Sequence, residues 1–333
     1  MKAFVINKYG KDEQLHLTDI PEPSLGEDEV LVEIHAAGLN QLDSKIKSGA
    51  FKLILSYKLP LILGHDLAGV VVKVGSQASR FKVGDEVYAR PADYHIGTFA
   101  EYLAVNEKDL ARKPKNLTMD EAGSLPLVAL TAWQALVEFG KLKQGQKVFI
   151  QAGSGGVGII AIQLAKYLGA TVATTAGSGS FELLKQLGAD ILIDYKTQDF
   201  ESVLKDYDLV INSQDTRTLE KSLNIVKAGG KVISISGPPT PELAKSIDSS
   251  RIMRFVLSLI SFGIRRKAKK RGIVYEFLFM RASGRQLEEI TKLVESGVIK
   301  TVLDRVFTFE QTNEALAYLE KGRAKGKVVV NIK

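Results

Sequence analysis

The chain has 333 residues, more than one ordinary core of roughly 100–150 residues holds, so two domains are expected. Its 45% apolar and 25% charged composition, with 29 glycines and 9 prolines, excludes disorder, collagen-like repeats and low complexity; the absence of cysteine excludes disulfides, thiolate nucleophiles, iron–sulfur clusters and sulfur-ligated zinc. The net charge of +7 is concentrated in Arg251, Arg254, Arg265, Arg266, Lys267, Lys269, Lys270 and Arg271, with no acid in that stretch, whereas a nucleic-acid groove spreads basic charge among aromatics.

Residues 1–7 lack the long apolar stretch of a secretory signal, and no apolar run approaches the ~20 residues that span a bilayer, so a cytoplasmic location is expected. Short strands broken by glycine turns follow at Ala3–Ile6, Glu29–Ala37, Leu67–Val74, Glu86–Ala89 and Phe99–Val105, predicting a compact β-rich domain over 1–120. From Thr118 the texture changes. Strands are predicted at Lys147–Gln151, Thr171–Thr175, Ile191–Ile193, Leu209–Asn212 and Lys231–Ser236, with helices over 126–139, 156–168, 180–187, 199–205 and 217–227. Short apolar strands alternating with helices imply an α/β, doubly wound parallel sheet, assigned to 121–274. The remainder, about 275–333, reads as strand (Glu276–Met280), helix, strand, helix, strand; it either extends that sheet or returns to the first domain.

The clearest motif runs from Lys147-Val148-Phe149-Ile150-Gln151 into Ala152-Gly153-Ser154-Gly155-Gly156-Val157-Gly158 and on into a helix. Gly153, Gly155 and Gly158 fit G-x-G-x-x-G between strand and helix, the context in which it cradles a dinucleotide pyrophosphate. Gly153 permits the sharp turn, Gly155 and Gly156 let backbone approach the anion, and Gly158 packs helix on sheet; the helix N-terminus supplies free N–H groups. An NAD site usually carries a carboxylate at the end of the second strand for the ribose 2′-OH. Here that position reads Thr175-Ala176-Gly177-Ser178-Gly179-Ser180. With no carboxylate to repel a 2′-phosphate, and Ser178 and Ser180 able to donate to it, NADPH is the expected cofactor.

Three further segments accompany this turn: Gly64-His65-Asp66-Leu67-Ala68-Gly69-Val70-Val71, Val83-Gly84-Asp85-Glu86-Val87-Tyr88 and Gly322-Arg323-Ala324-Lys325-Gly326-Lys327-Val328-Val329-Val330. In this order the four motifs resemble the medium-chain dehydrogenase/reductase superfamily, and within it the zinc-independent quinone and enone oxidoreductases. The resemblance implies a GroES-like catalytic domain over 1–120, joined by about 275–333, a Rossmann domain between, and an active site in the cleft. Zinc members use two cysteines and the histidine of the Gly-His motif; here His65 survives alone, so no metal is expected.

Asn40-Gln41-Leu42-Asp43-Ser44-Lys45 resembles the segment that faces the nicotinamide in this branch. The resemblance implies that Asn40 positions the cofactor, Asp43 orients nearby groups and Lys45 stabilises the enolate formed when hydride adds to an enone. It also implies cofactor contacts at Thr131, Tyr195 and Arg323. Ser236 and Gly237 leave the fifth strand, where a nicotinamide belongs. The activity implied is NADPH-dependent hydride transfer to a quinone or an enone; the alternative is a non-catalytic NADPH-binding protein that engages a partner or membrane through 251–271.

Over 251–265 the polar positions Arg251, Arg254, Ser258, Ser261 and Arg265 form one narrow helical stripe, and nearly everything else is apolar. Burial against the cleft or a partner subunit, peripheral attachment to an acidic membrane and a greasy substrate mouth are all open for it. Tyr275–Met280 would be a sticky edge strand if unpaired; in the resembled family such a strand often pairs across a homodimer, so a dimer is expected.

Overall fold

The computed structural model describes every residue except Leu53 and Asp248. It divides into two units: Met1–Leu130 with Arg281–Lys333, and Thr131–Met280.

The first unit begins with β1 (Lys2–Ile6), β2 (His16–Asp19), β3 (Glu29–Gly38), α1 (Gln41–Lys47), β4 (Leu61–Ile62), β5 (Leu67–Val74), β6 (Glu86–Ala89), β7 (Tyr102–Asn106) and β8 (Leu110–Arg112). Two short helices follow, α2 (Met119–Gly123) and α3 (Pro126–Trp133). A small sheet has the order β2-β1-β4. The strand expected from Phe99 starts at Tyr102 because Phe99 and Ala100 face β1 instead: Phe4 N–H donates to Phe99 O at 2.9 Å, and Ala3 bridges Ala100. Val30, Val32 and Ile34 of β3 pack with Leu67, Val71, Val87 and Val105 to form the unit's core.

The second unit holds β9 (Lys147–Ile150), α4 (Gly156–Tyr167), β10 (Thr171–Ala176), α5 (Phe181–Gln186), β11 (Ile191–Asp194), α6 (Phe200–Val203), β12 (Tyr207–Asn212), α7 (Thr216–Ser222), β13 (Val226–Ser234), α8 (Pro241–Ser246), α9 (Arg251–Lys270) and β14 (Val274–Phe277). Its six-stranded sheet runs β11-β10-β9-β12-β13-β14, every pair parallel. Strands covered on both faces become nearly continuous apolar runs, which is why β9 to β12 are visible in the sequence. Phe149, Phe200, Tyr207, Val210 and Ile264 share its core.

The larger departures from expectation fall at three places. The helix predicted over 126–139 changes after Trp133 into a π-helical stretch, Gln134–Phe139. The helix predicted over 217–227 stops at Ser222, because Val226 already pairs with Tyr207 as the start of β13. The last strand of this unit occupies Val274–Phe277 rather than Glu276–Met280.

The chain then returns to the first unit through α10 (Gly284–Glu295), β15 (Leu303–Thr308), α11 (Thr312–Glu320) and β16 (Lys327–Asn331). β16 sits between β15 and β3, and the larger sheet continues through β5, β6 and β8, with β7 also on β3. The two openings left by the sequence are therefore both used: β14 extends the parallel sheet, and the residues after 280 complete the first unit.

Candidate active site

In the second unit, β9 lies where the strand order reverses, with β10 on one side and β12 on the other. Ligands of such sheets bind outside the carboxyl ends of the strands at that point. The turn leaving β9 is tied to the end of β10: Gly153 N–H donates to Thr175 O at 2.9 Å, and Ala152 N–H to Thr175 Oγ1 at 3.2 Å. Ala152 itself is held at φ 51°, the left-handed region that side-chain-bearing residues rarely adopt.

Two of the turn's glycines are required by space. A Cβ on Gly153 would stand 2.2 Å from Thr174 Oγ1, and one on Gly158 2.5 Å from Ala152 O and 2.6 Å from Gly153 Cα. On Gly155 a Cβ would meet only Ala152 O, at 3.3 Å; that glycine keeps open a space outside the turn. Helix α4 has Gly155 as its N-cap, with no side-chain cap and no acid in its first turn. Ile159 N–H is the first to bond back, to Gly155 O at 3.0 Å. The N–H groups of Gly156, Val157 and Gly158 therefore have no intrahelical acceptor and point out at the positive end of the helix. A diphosphate fits this cradle.

Beyond β10, Ser178–Ser180 form a single tight turn in which Ser178 is exposed and Ser180 buried. Sequence spacing placed no carboxylate here, but the structure brings one from the next strand. Asp194 ends β11 beside Ala176. The Lys196 N–H holds the Asp194 carboxyl below the usual carboxylate range, against some loss of water, and the Ser178 hydroxyl and N–H also bond to it. Tyr195 is 63% exposed, its ring edge 4.0 Å from the position of a Cβ on Gly177. Ser178 and Tyr195 thus share one lip.

A buried amide chain pins the neighbouring strand ends. Gln151 Nε2 donates to Ser222 Oγ, Asn212 Nδ2 donates to Gln151 Oε1 (both 2.8 Å), and Ser234 Oγ donates to Asn212 Oδ1 at 2.5 Å. Gly237 N–H reaches Ser234 Oγ at 2.8 Å and Ser236 Oγ donates to Gln214 O at 2.6 Å, so the loop after β13 is held from within. Tyr275 OH donates to Pro238 O at 2.8 Å; burial pushes that hydroxyl's pKa above the ordinary tyrosine value. Thr131 is buried in α3, and Arg323 is exposed.

The first unit holds a denser polar cluster. Asn40 caps α1, and its N–H donates to Asp43 Oδ2 at 2.8 Å. The other oxygen of Asp43 accepts from His65 Nδ1 at 2.6 Å, with both side chains wholly buried. Asn40 turns its amide to Asp66, donating to Oδ2 at 2.9 Å, while Asp66 Oδ1 accepts the Leu127 N–H at 2.7 Å in the first turn of α3. Lys327, at the start of β16, spends its three protons on Leu39 O (2.9 Å), Asn40 Oδ1 (2.6 Å) and Asp66 Oδ2 (3.2 Å). Because a carboxylate can only accept, Asp43 fixes the proton on Nδ1. His65 Nε2 is left buried without a partner among the described residues.

Asn40 and Asp43 are thus brought together with His65, Asp66 and Lys327. Lys45 is not. It leaves the opposite face of α1, exposed, with its ammonium 5.9 Å from the Phe51 ring centroid. Lys327 was missed as a member of this cluster. Its sequence signal is slight: a cation opening an otherwise apolar strand, Lys327-Val328-Val329-Val330.

Residues 26–115 match the family described as alcohol dehydrogenase GroES-like domain, and residues 187–330 the family described as zinc-binding dehydrogenase. Among curated proteins, the chain is 39% identical to the 2-methylene-furan-3-one reductase of Solanum lycopersicum and 38% identical to the chloroplastic NADPH-dependent alkenal/one oxidoreductase of Arabidopsis thaliana; each comparison covers 99% of this chain and 79% of the relative. Among solved structures, the quinone oxidoreductase from Coxiella burnetii superposes with a TM-score of 0.86 at 30% identity, covering 100% of this chain and 99% of that one.

The zinc in the second family's description does not fit these residues. The sequence has no thiol, His65 has only its Nε2 to offer a metal, and no group of three His, Cys, Asp or Glu side chains among the described residues could hold a metal ion. Its relatives, its paired GroES-like and parallel-sheet units and its thiol-free donor set agree: the chain belongs to the medium-chain dehydrogenase/reductase superfamily, in the zinc-independent quinone and enone oxidoreductase branch.

Proposed function

We propose that this chain reduces quinones or α,β-unsaturated carbonyl compounds with NADPH and without a metal. The observation that carries the reading is the uncapped start of α4, where the N–H groups of Gly156–Gly158 lie open beside a glycine that leaves room for an anion. Two relatives named for a methylene-furanone and for alkenals and enones supply the substrate class. They are named as a reductase and an oxidoreductase, so the alternative of a non-catalytic binder is not favoured.

Bound NADPH would supply the hydride. In this reading the backbone at Gly153, Ser154, Gly155, Gly156, Val157 and Gly158 holds the diphosphate. Ser178, Ser180 and Tyr195 receive the 2′-phosphate end, while Thr131, Ser236, Gly237 and Arg323 complete the cofactor contacts. Asn40 and Asp43, locked by Lys327 and His65, fix the start of α1, and Lys45 projects from that fixed helix to stabilise negative charge developing on the substrate oxygen.

The test is NADPH oxidation with enals, enones and small quinones. No turnover with any of them, alongside confirmed NADPH binding, would remove the assignment. Lys45→Ala is expected to lower kcat about 10–100-fold with little change in NADPH affinity; the reverse pattern would take Lys45 out of the chemistry. Asp194→Asn, which deletes a negative charge at the lip, is expected to lower the NADPH KM about fivefold and leave that for NADH in place. Equal effects on both coenzymes would mean the 2′-phosphate lies elsewhere.

The reading includes a homodimer paired through β14, an edge strand with β13 on one side only. Light scattering on the eluting protein should give twice the chain mass; a monomer at micromolar concentration would count against it.

A further inference from the structure

Helix α9 presents an unusual outer surface. Its inner face is narrow and made partly of small residues: Leu257, Ser261, Ile264 and Ala268 are buried, with Ser261 Oγ donating to Leu257 O at 2.8 Å. The polar stripe expected from the sequence therefore does not simply face water, since Ser261 lies against the core while the apolar majority is left outside. On the opposite side, Ile252, Phe255, Val256, Leu259, Ile260 and Phe262 are 39–77% exposed. Further along the same helix the outer side becomes cationic, with Arg266, Lys267, Lys269 and Lys270 all exposed and Arg271 at the C-cap. No acid occurs from 251 to 271; Lys267 pairs with Glu220 of α7 at 2.6 Å, and Glu242 of α8 feels the charge of Arg265.

Six large apolar side chains in water, followed by a run of cations, need an apolar and anionic counterpart. A second copy of the helix, antiparallel about a two-fold axis, covers apolar side chains but brings no acid to the cations, since 251–271 contains none. A helix of this pattern lies in the headgroup plane of a bilayer, apolar side chains among the acyl chains and lysines and arginines on acidic headgroups. We propose that α9 docks the enzyme peripherally on anionic lipid surfaces. Resting on the quinone and enone reading above, this docking brings the protein to apolar substrates that concentrate in bilayers.

The experiment is flotation with vesicles of phosphatidylcholine alone and of phosphatidylcholine mixed with phosphatidylglycerol, at low and high salt. The wild-type chain is expected on the mixed vesicles only, with binding falling as salt rises. Arg266→Gln/Lys269→Gln/Lys270→Gln should weaken that binding about 100-fold, and Phe255→Ser/Leu259→Ser at least tenfold. Reduction of a water-soluble quinone should be unchanged in both variants, since every altered side chain is exposed. Absence of the wild-type protein from mixed vesicles overturns the proposal, as does equal binding by the triple variant. Dissociation of a dimer by either variant, with vesicle binding intact, would assign α9 to contact between copies. Vesicle binding without any soluble-substrate turnover would instead sink only the reductase reading.

Discussion

Lys327→Met is expected to cost the first unit about 3–5 kcal/mol of stability. The ammonium is buried beside Asp66, and three acceptors use all its protons. Removing it leaves the Asp66 carboxylate buried with the Asn40 amide and the Leu127 N–H as its remaining donors among the described residues, and leaves Leu39 O and Asn40 Oδ1 without this donor. Taking the charge from both sides should recover much of the loss, so Asp66→Asn/Lys327→Met is expected to be more stable than Lys327→Met alone. Two units need not melt together, so the measurement is amide hydrogen exchange in α1 and β16 rather than a single melting curve. A change below about 1 kcal/mol would mean that water already reaches this cluster. Activity should fall with stability here, because the start of α1 is what the cluster holds.

The second large effect separates two glycines of one turn. Gly155→Val is expected to weaken NADPH binding by about 100-fold, or 2.7 kcal/mol, while changing fold stability by about 1 kcal/mol or less. Gly155 has φ −79° and ψ 166°, a conformation open to valine, and its Cβ would meet only Ala152 O; the new side chain occupies the space left for the diphosphate. Gly158→Ala behaves differently. Its Cβ would collide with the backbone of Ala152 and Gly153, so the turn must shift, with a stability loss of about 1–3 kcal/mol accompanying the loss of coenzyme. Titration calorimetry and thermal melts on both variants make the comparison. Wild-type affinity in Gly155→Val would falsify the placement of the diphosphate at α4.

How far these sites were readable before the structure depends on how local their physics is. The strands β9 to β12 are short apolar runs bounded by turns, and the glycine turn is contiguous, so both were visible in a single pass. The start of β13 was not, because Val226 pairs with Tyr207 before a register shift and two glycines interrupt the run. The Asn40–Asp66–Lys327 cluster was half legible: Asn40 and Asp43 came through resemblance, but Lys327 meets Asn40 across 287 positions and Asp66 across 261. No window along the chain contains that pairing. For the same reason Lys45, beside Asp43 in sequence, was grouped with it, although the helix sends the two to opposite faces. On α9 the pattern gave an accurate apolar surface, but which side would be covered depended on small residues, Ser261 and Ala268, that let the helix settle on its sheet.

The position of β16 also bears on how the protein is made. It lies between β3 and β15 and brings the ammonium that closes the buried cluster around Asp66. During synthesis the whole parallel-sheet unit, Thr131–Met280, emerges while the β-rich unit still lacks this interior strand. The unit that begins first must therefore finish last, with Met1–Leu130 waiting on the ribosome as an open sheet exposed to chaperones and to mispairing with other nascent chains.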